Sequence, residues 1–106
     1  MKLLSRNEEI VLIAIYRLQE NAYGVTIRDQ VNNMTKQDWS FGQIYVPLDK
    51  LTQKGFVHKV LSEPTAQRGG RSKCMYTLSS DGKNALAEIR KVQEALWRGI
   101  PRYAFD

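Results

Sequence analysis

The stretch SFGQIYVPLDKLTQKG, residues 40–55, carries the strongest structural signal in this chain. Ser40 and Gln43 are spaced as a capping box, which predicts that a helix begins at Phe41. Gly55 suits the position just past a helix end, so we expect the helix to continue to Lys54. Its buried stripe follows helical spacing and consists of Ile44, Leu48 and Leu51. The opposite face carries Gln43, Val46, Asp49, Lys50 and Gln53.

Two further helices are predicted upstream of this stretch. Ser5 and Glu8 form another capping box, which predicts a helix through about residue 18. The segment Ile10–Ile15 is apolar around nearly the whole helix, so the helix should be buried on more than one side. In a chain of 106 residues, we expect the second side to meet another subunit. After a short break, a second helix is predicted from about Val25 to Met34.

Downstream, the pattern changes to two β-rich stretches and a last helix. Phe56–Leu61 and Lys73–Leu78 are predicted strands, and the intervening residues 62–72 read as a long hairpin loop rich in Gly and Arg. Ser79 is placed to cap a helix that we expect to run from Ser80 to Trp97.

This order predicts a winged helix-turn-helix, an α+β fold that is mainly α, with three helices, a two-stranded wing and a C-terminal dimerisation helix. We expect residues 1–79 to form the DNA-binding domain and residues 80–106 to form the dimerisation helix of the same compact unit. In such a fold the second helix braces the third, and the third enters the major groove.

The charge distribution favours a polyanionic partner. The net charge is +5, and residues 36–73 hold seven Lys or Arg against three Asp or Glu. The remainder of the chain is nearly balanced, so the excess lies in the segment of the predicted recognition helix and wing. This pattern favours double-stranded DNA as the partner.

The predicted DNA contacts come from the third helix and the wing. Gln43 could bond an adenine edge, Lys50 a guanine or a phosphate, and Val46 a thymine methyl group. The Tyr45 hydroxyl could reach a phosphate, although the ring could instead simply pack against the wing. The complete set of predicted DNA-contacting residues is Ser40, Gln43, Tyr45, Val46, Lys50, Arg68, Arg71 and Lys73.

The sequence argues against several other functions. It has no Ser/His/Asp set, no phosphate loop and no clustered carboxylates, so we expect no catalytic residues. His58 is the only histidine, which argues against a metal site, and we expect no cofactor. Cys74 is the only cysteine; it suits a small core residue better than a redox sensor, and a reduced, cytoplasmic setting fits. The first residues do not resemble a signal peptide, and Ile10–Ile15 is too short to cross a membrane.

The chain resembles the PadR-like family of bacterial transcriptional regulators over roughly residues 5–90. The resemblance rests on the apolar first helix, on Ala22-Tyr23-Gly24-Val25, on Gly42-Gln43-Ile44-Tyr45, and on Gly69-Gly70-Arg71 with Tyr76-Thr77-Leu78-Ser79. It implies a dimeric repressor in which Gly42, Ile44 and Tyr45 open the recognition helix. The chain differs from many members in that Val46 separates Tyr45 from Pro47, and Pro47 is expected to kink the helix.

The resemblance also implies that the first and fourth helices build the dimer interface. The residues predicted there are Val11, Ile15, Ile89, Val92 and Leu96. Related drug-sensing members stack flat ligands on aromatic residues late in the fourth helix, which makes Trp97 a candidate for an effector pocket that binds a small aromatic molecule. The alternative is a purely structural role, in which Trp97 packs in the dimer interface. For the whole protein, the alternative is a winged-helix interaction module whose basic face binds an acidic protein.

Overall fold

The predicted order of elements is confirmed in the computed structural model, which describes residues 4–61 and 73–105. Helices α1, α2 and α3 comprise Arg6–Leu18, Gly24–Thr35 and Phe41–Gln53. Strands β1 (Val57–Leu61) and β2 (Cys74–Leu78) follow, and then helix α4 (Ser80–Trp97). Short 3-10 turns at Gln19–Asn21 and Arg102–Phe105 follow α1 and α4.

Side-chain caps set the starts of three helices. At α1, the Ser5 hydroxyl accepts the Glu8 N–H at 3.1 Å, while the Glu8 carboxylate accepts the Ser5 N–H at 2.8 Å. At α4, the Ser79 hydroxyl accepts the Gly82 N–H at 3.0 Å. At α3, the predicted box between Ser40 and Gln43 is also formed. Each cap satisfies backbone donors that a helix start leaves without an intrahelical partner, so the local sequence fixes where these helices begin.

Helix α1 lies at the centre of the domain. It packs against α2, α3, β2 and the first part of α4. The core around it consists of Val11, Leu12, Ala14, Ile15, Ala22, Ile27, Val31, Trp39, Ile44, Leu48, Leu51, Phe56, Val57, Tyr76 and Leu78. Most of the apolar surface of α1 is therefore covered within one protomer, while Ile13 is partly buried and Tyr16 is exposed.

This placement corrects the prediction for two dimer residues. Val11 and Ile15 are 0% and 1% exposed in the single chain. A side chain already enclosed by its own protomer has no surface to offer a second subunit. Val11 and Ile15 are core residues, and only the predicted residues of α4 remain as candidates for the interface.

The wing is an antiparallel pair whose register aligns Val57 with Leu78 and Leu61 with Cys74. The Tyr76 N–H also donates to the Ala22 carbonyl at 2.8 Å, so the segment before α2 is tied to the wing. Helix α3 remains continuous across Pro47, whose ring is buried. The wing and the segment before α2 are thus joined directly through their backbones.

An ion pair that the sequence did not reveal joins the start of α1 to the end of α3. Lys54 Nζ donates to Glu8 Oε2 at 2.7 Å, and the Glu8 residue is 3% exposed. Burial acts to raise the pKa of Glu8, but the hydrogen bonds from Lys54 and Ser5 and the charge of Lys54 outweigh it, so the net shift of the pKa is downward. Glu8 thereby combines a helix cap with a long-range brace.

We expect Lys54→Met to lower the free energy of unfolding by about 2 kcal/mol at pH 7, because it leaves a buried carboxylate without its charged donor. Since the pKa of Glu8 is lowered on folding, the pair stabilises fully above the unfolded pKa, near 4.5, and its contribution is lost as the pH falls through the folded pKa. Denaturant unfolding of both proteins between pH 7 and pH 3 should therefore show the difference shrinking with acidification.

Arg90→Met provides the matched control. Arg90 and Glu94 form an exposed pair 3.8 Å apart, with side chains 84% and 69% exposed. Its loss should change the free energy of unfolding by less than about 0.5 kcal/mol. A Lys54→Met penalty of that small size, or one independent of pH, would contradict the brace.

Candidate nucleic-acid interface

The exposed face of α3 is sparse in hydrogen-bonding side chains near its start. Opposite the buried stripe lie Gly42, Val46, Asp49 and Gln53, all of them exposed. Lys50 is exposed on the flank of this face. Directly opposite the buried stripe, the N-terminal half of the helix therefore presents a glycine and a valine.

The side chains of Ser40 and Gln43 are engaged in capping α3. The Ser40 hydroxyl accepts the Gln43 N–H at 3.2 Å, and Gln43 Oε1 accepts the Ser40 N–H at 2.8 Å. A bidentate contact to adenine needs the amide oxygen of the glutamine as an acceptor. The cap orients the Gln43 side chain and uses one of the two lone pairs of Oε1. The predicted DNA contacts of both residues remain predictions.

Tyr45 packs against the start of α2. A Cβ on Gly24 would overlap the Tyr45 hydroxyl oxygen, so the absence of a side chain at Gly24 leaves room for this hydroxyl. The Tyr45 ring also stacks on Phe41, with centroids 6.4 Å apart. The residue is 40% exposed, and its predicted phosphate contact remains a prediction. The motifs Tyr23-Gly24 and Ile44-Tyr45 thus meet in one contact between α2 and α3.

Arg28, which sequence reasoning missed, lies beside the first turn of α3. Its Nε donates to the Trp39 carbonyl at 2.7 Å, and its guanidinium lies 4.7 Å from the centroid of the Phe41 ring. The Asp38 carboxylate is 3.4 Å from the guanidinium. Nothing in the local pattern of α2 marks this arginine, because its partners lie ten or more residues further along the chain.

Of the three predicted wing cations, the structure describes Lys73. Its Nζ lies 3.6 Å from the centroid of the Tyr23 ring, a cation–π contact that places the charge beside the start of α2. Arg68 and Arg71 lie outside the described residues. Lys50, Lys73 and Arg28 are thus three described cations on α3, at the base of the wing and on α2.

Tyr76 is a buried side chain of the wing that lies near Tyr45 and Asp49 of α3. It is 4% exposed, and burial, the Cys74 side chain and the nearby Tyr45 and Asp49 side chains raise its pKa. The phenol stays neutral, and it acts as a packing group. Cys74 is partly buried in β2 and packs against the core, as the sequence predicted.

A second surface of note is the distal half of α4. Ile89 is partly buried, whereas Val92 and Leu96 are 48% and 64% exposed. Trp97 is 54% exposed and meets Phe105 edge to face, with ring centroids 6.2 Å apart. The same surface also includes Ile100 and Tyr103. Together they form an apolar arm that the described protomer leaves uncovered.

Trp97 does not line the described cavity. That cavity, of about 360 Å³, lies between the end of α1, the outer face of the wing and Lys83 at the start of α4. The predicted effector pocket at Trp97 would need a second subunit, and it remains a prediction.

Within residues 4–61 and 73–105, no group of three or more metal-binding side chains comes together. In the same part of the chain, none of the helices combines the length and the apolarity needed to cross a bilayer.

Comparison with known proteins relates the chain to transcriptional regulators. The model of the transcriptional regulator PadR-like family matches residues 11–88. A PadR family transcription regulator from Clostridium difficile superposes with a TM-score of 0.69 at 22% identity, covering 87% of this chain and 90% of its own. No curated protein sequence matches the chain.

Two further solved structures share the fold. A PadR-like transcriptional regulator from Bacillus cereus gives a TM-score of 0.70 at 20% identity, covering 84% of this chain and 82% of its own. RosR from H. salinarum gives a TM-score of 0.71 at 20% identity, covering 92% of this chain and 81% of its own. At such identities the superpositions show a common fold, and they confirm the predicted winged helix-turn-helix.

Proposed function

Because this chain belongs to the PadR-like family of transcriptional regulators, we propose that it binds double-stranded DNA sequence-specifically as a homodimer and represses transcription. The proposal is carried by one observation: α3 exposes Lys50, Arg28 of α2 lies over Phe41 in the first turn of α3, and Lys73 at the base of the wing lies over Tyr23 beside the start of α2. Residues 1–79 would then bind DNA and residues 80–106 would dimerise. The protein would act in the cytoplasm, where it meets the DNA, and it would not be an enzyme.

The arrangement suits a protein that positions itself on phosphates. Cations on α3, α2 and the wing base surround the helix that would enter the major groove. Phosphate contacts of this kind supply most of the affinity and weaken as salt rises, because counterions released from DNA oppose binding. With about six such contacts in a dimer, affinity should fall by about 1,000-fold between 50 and 200 mM salt.

We expect the protein to bind DNA from upstream of its own gene with this salt dependence, measured by fluorescence anisotropy. Lys50→Ala should weaken binding and reduce the slope of log affinity against log salt by about one for each phosphate that is no longer neutralised. Lys91→Ala is the matched control: Lys91 is an exposed lysine on α4, far along the chain from α3, and it should leave the slope unchanged.

Absence of binding, or binding that salt does not weaken, would contradict the proposal. If the protein instead captured an acidic protein equally well after nuclease treatment, the interaction-module alternative would replace it. A clear footprint on the upstream DNA would remove that alternative.

The homodimer is supported by the apolar arm of α4. Its exposed side chains form a stripe at helical spacing, and a patch of this kind on a protein surface marks an interaction site. In a two-fold dimer the same stripe of each copy would face that of the other. The dimer would place two recognition helices on one DNA duplex.

A further inference from the structure

The outward face of α3 poses a question of specificity. In its N-terminal half the residues directly opposite the buried stripe are Gly42 and Val46, and Val46 is 58% exposed. Proteins seldom gain stability from a valine that is exposed to this degree on a helix, since β-branched residues have modest helix propensity. The methyl groups of Val46 are therefore available to a ligand.

Three polar neighbours of Val46 are engaged within the protein or unsuited to guanine, and exposed Lys50 lies on the flank of this face. Gln43 is occupied with its cap, and the Tyr45 hydroxyl sits against Gly24. One turn further, exposed Asp49 carries a carboxylate, which accepts hydrogen bonds and so repels the acceptor edge of guanine. Near the start of the helix, the residue at the centre of this face is therefore Val46, which offers an apolar contact.

We propose that Val46 selects a thymine in each half-site by contacting its C5 methyl group in the major groove. The inference rests on the proposed function and deepens it. The thymine methyl is the one apolar group that the four standard bases display in that groove, and Gly42, without a side chain, lets the start of the helix approach it. Sequence preference thus comes from methyl packing at this position and not from a hydrogen-bonded pair.

The test replaces thymine by deoxyuridine, which lacks only the methyl group. A bound duplex is first selected from random DNA with the intact protein, and each thymine is then changed singly. Loss of one buried methyl should weaken binding about fourfold, and loss of the symmetric pair about fifteenfold. Other thymines should tolerate the change.

Two variants locate the effect. With Val46→Ala, the deoxyuridine penalty at the sensitive position should shrink to less than about 1.5-fold, because the partner methyl groups are gone. Val60→Ala is the matched control: Val60 is 57% exposed but lies on the outer face of the wing, beside the cavity, and the variant should keep the full penalty.

The outcomes separate the two proposals. If no thymine is sensitive, or if Val46→Ala retains the full penalty, methyl selection is overturned while DNA binding stands. If no duplex is selected at all, the proposed function itself fails.

Discussion

Gly82→Ala is expected to lower the free energy of unfolding by about 3 kcal/mol, which is a large part of the stability of a domain of this size. A Cβ at Gly82 would overlap the carbonyl oxygen of Phe56 and lie 3.1 Å from its carbonyl carbon. These are backbone atoms at the turn into the wing, so they cannot move without distorting the backbone there. Helix α4 would have to shift away from the wing and from its cap at Ser79.

Denaturant unfolding followed by circular dichroism measures this effect. Gly42→Ala is the control, because a Cβ there would have only the Ser40 hydroxyl within reach, at 3.8 Å. In an exposed helical position the change from Gly to Ala should stabilise by up to about 1 kcal/mol. The two substitutions are chemically identical and should differ in sign. Equal effects would show that close packing of α4 on the wing is not what requires glycine at position 82.

The second large effect is expected at the apolar arm of α4. Leu96→Asp should raise the dissociation constant of the homodimer at least about 100-fold, because the two-fold interface would bury two like carboxylates without partners. Sedimentation at micromolar concentration should then show a species of 12.2 kDa in place of one of twice that mass. The affinity of this variant for DNA should fall as well, since a monomer engages only one half-site.

Ala87→Asp is the control for this experiment. Ala87 is also exposed on α4, but helical geometry places it on the side opposite Val92 and Leu96. This variant should remain dimeric. A Leu96→Asp protein that stays dimeric would locate the interface elsewhere, and an unmodified protein that sediments only as the monomer would refute the dimer.

The candidate site was only partly predictable. The sequence identified α3 and its exposed side chains, because capping boxes and helical spacing involve residues within one or two turns of each other. It did not identify Arg28, whose hydrogen-bond partners lie ten or more residues away. Nor did it identify the brace between Glu8 and Lys54, which are 46 positions apart in the chain. It also assigned Gln43 two functions, a cap and a base contact, and the structure shows the cap formed.

Local chemistry therefore determined the order of the elements, the starts of α1, α3 and α4, and the basic character of the central segment. These properties follow from hydrogen bonds and periodicity along a short stretch of chain. Only the tertiary structure decided that Val11 and Ile15 belong to the core of the protomer, that Tyr45 packs against Gly24, and that the apolar stripe of α4 remains exposed. Burial depends on which distant elements surround a side chain, and an apolar residue looks the same in the sequence whether its own domain or a second subunit covers it.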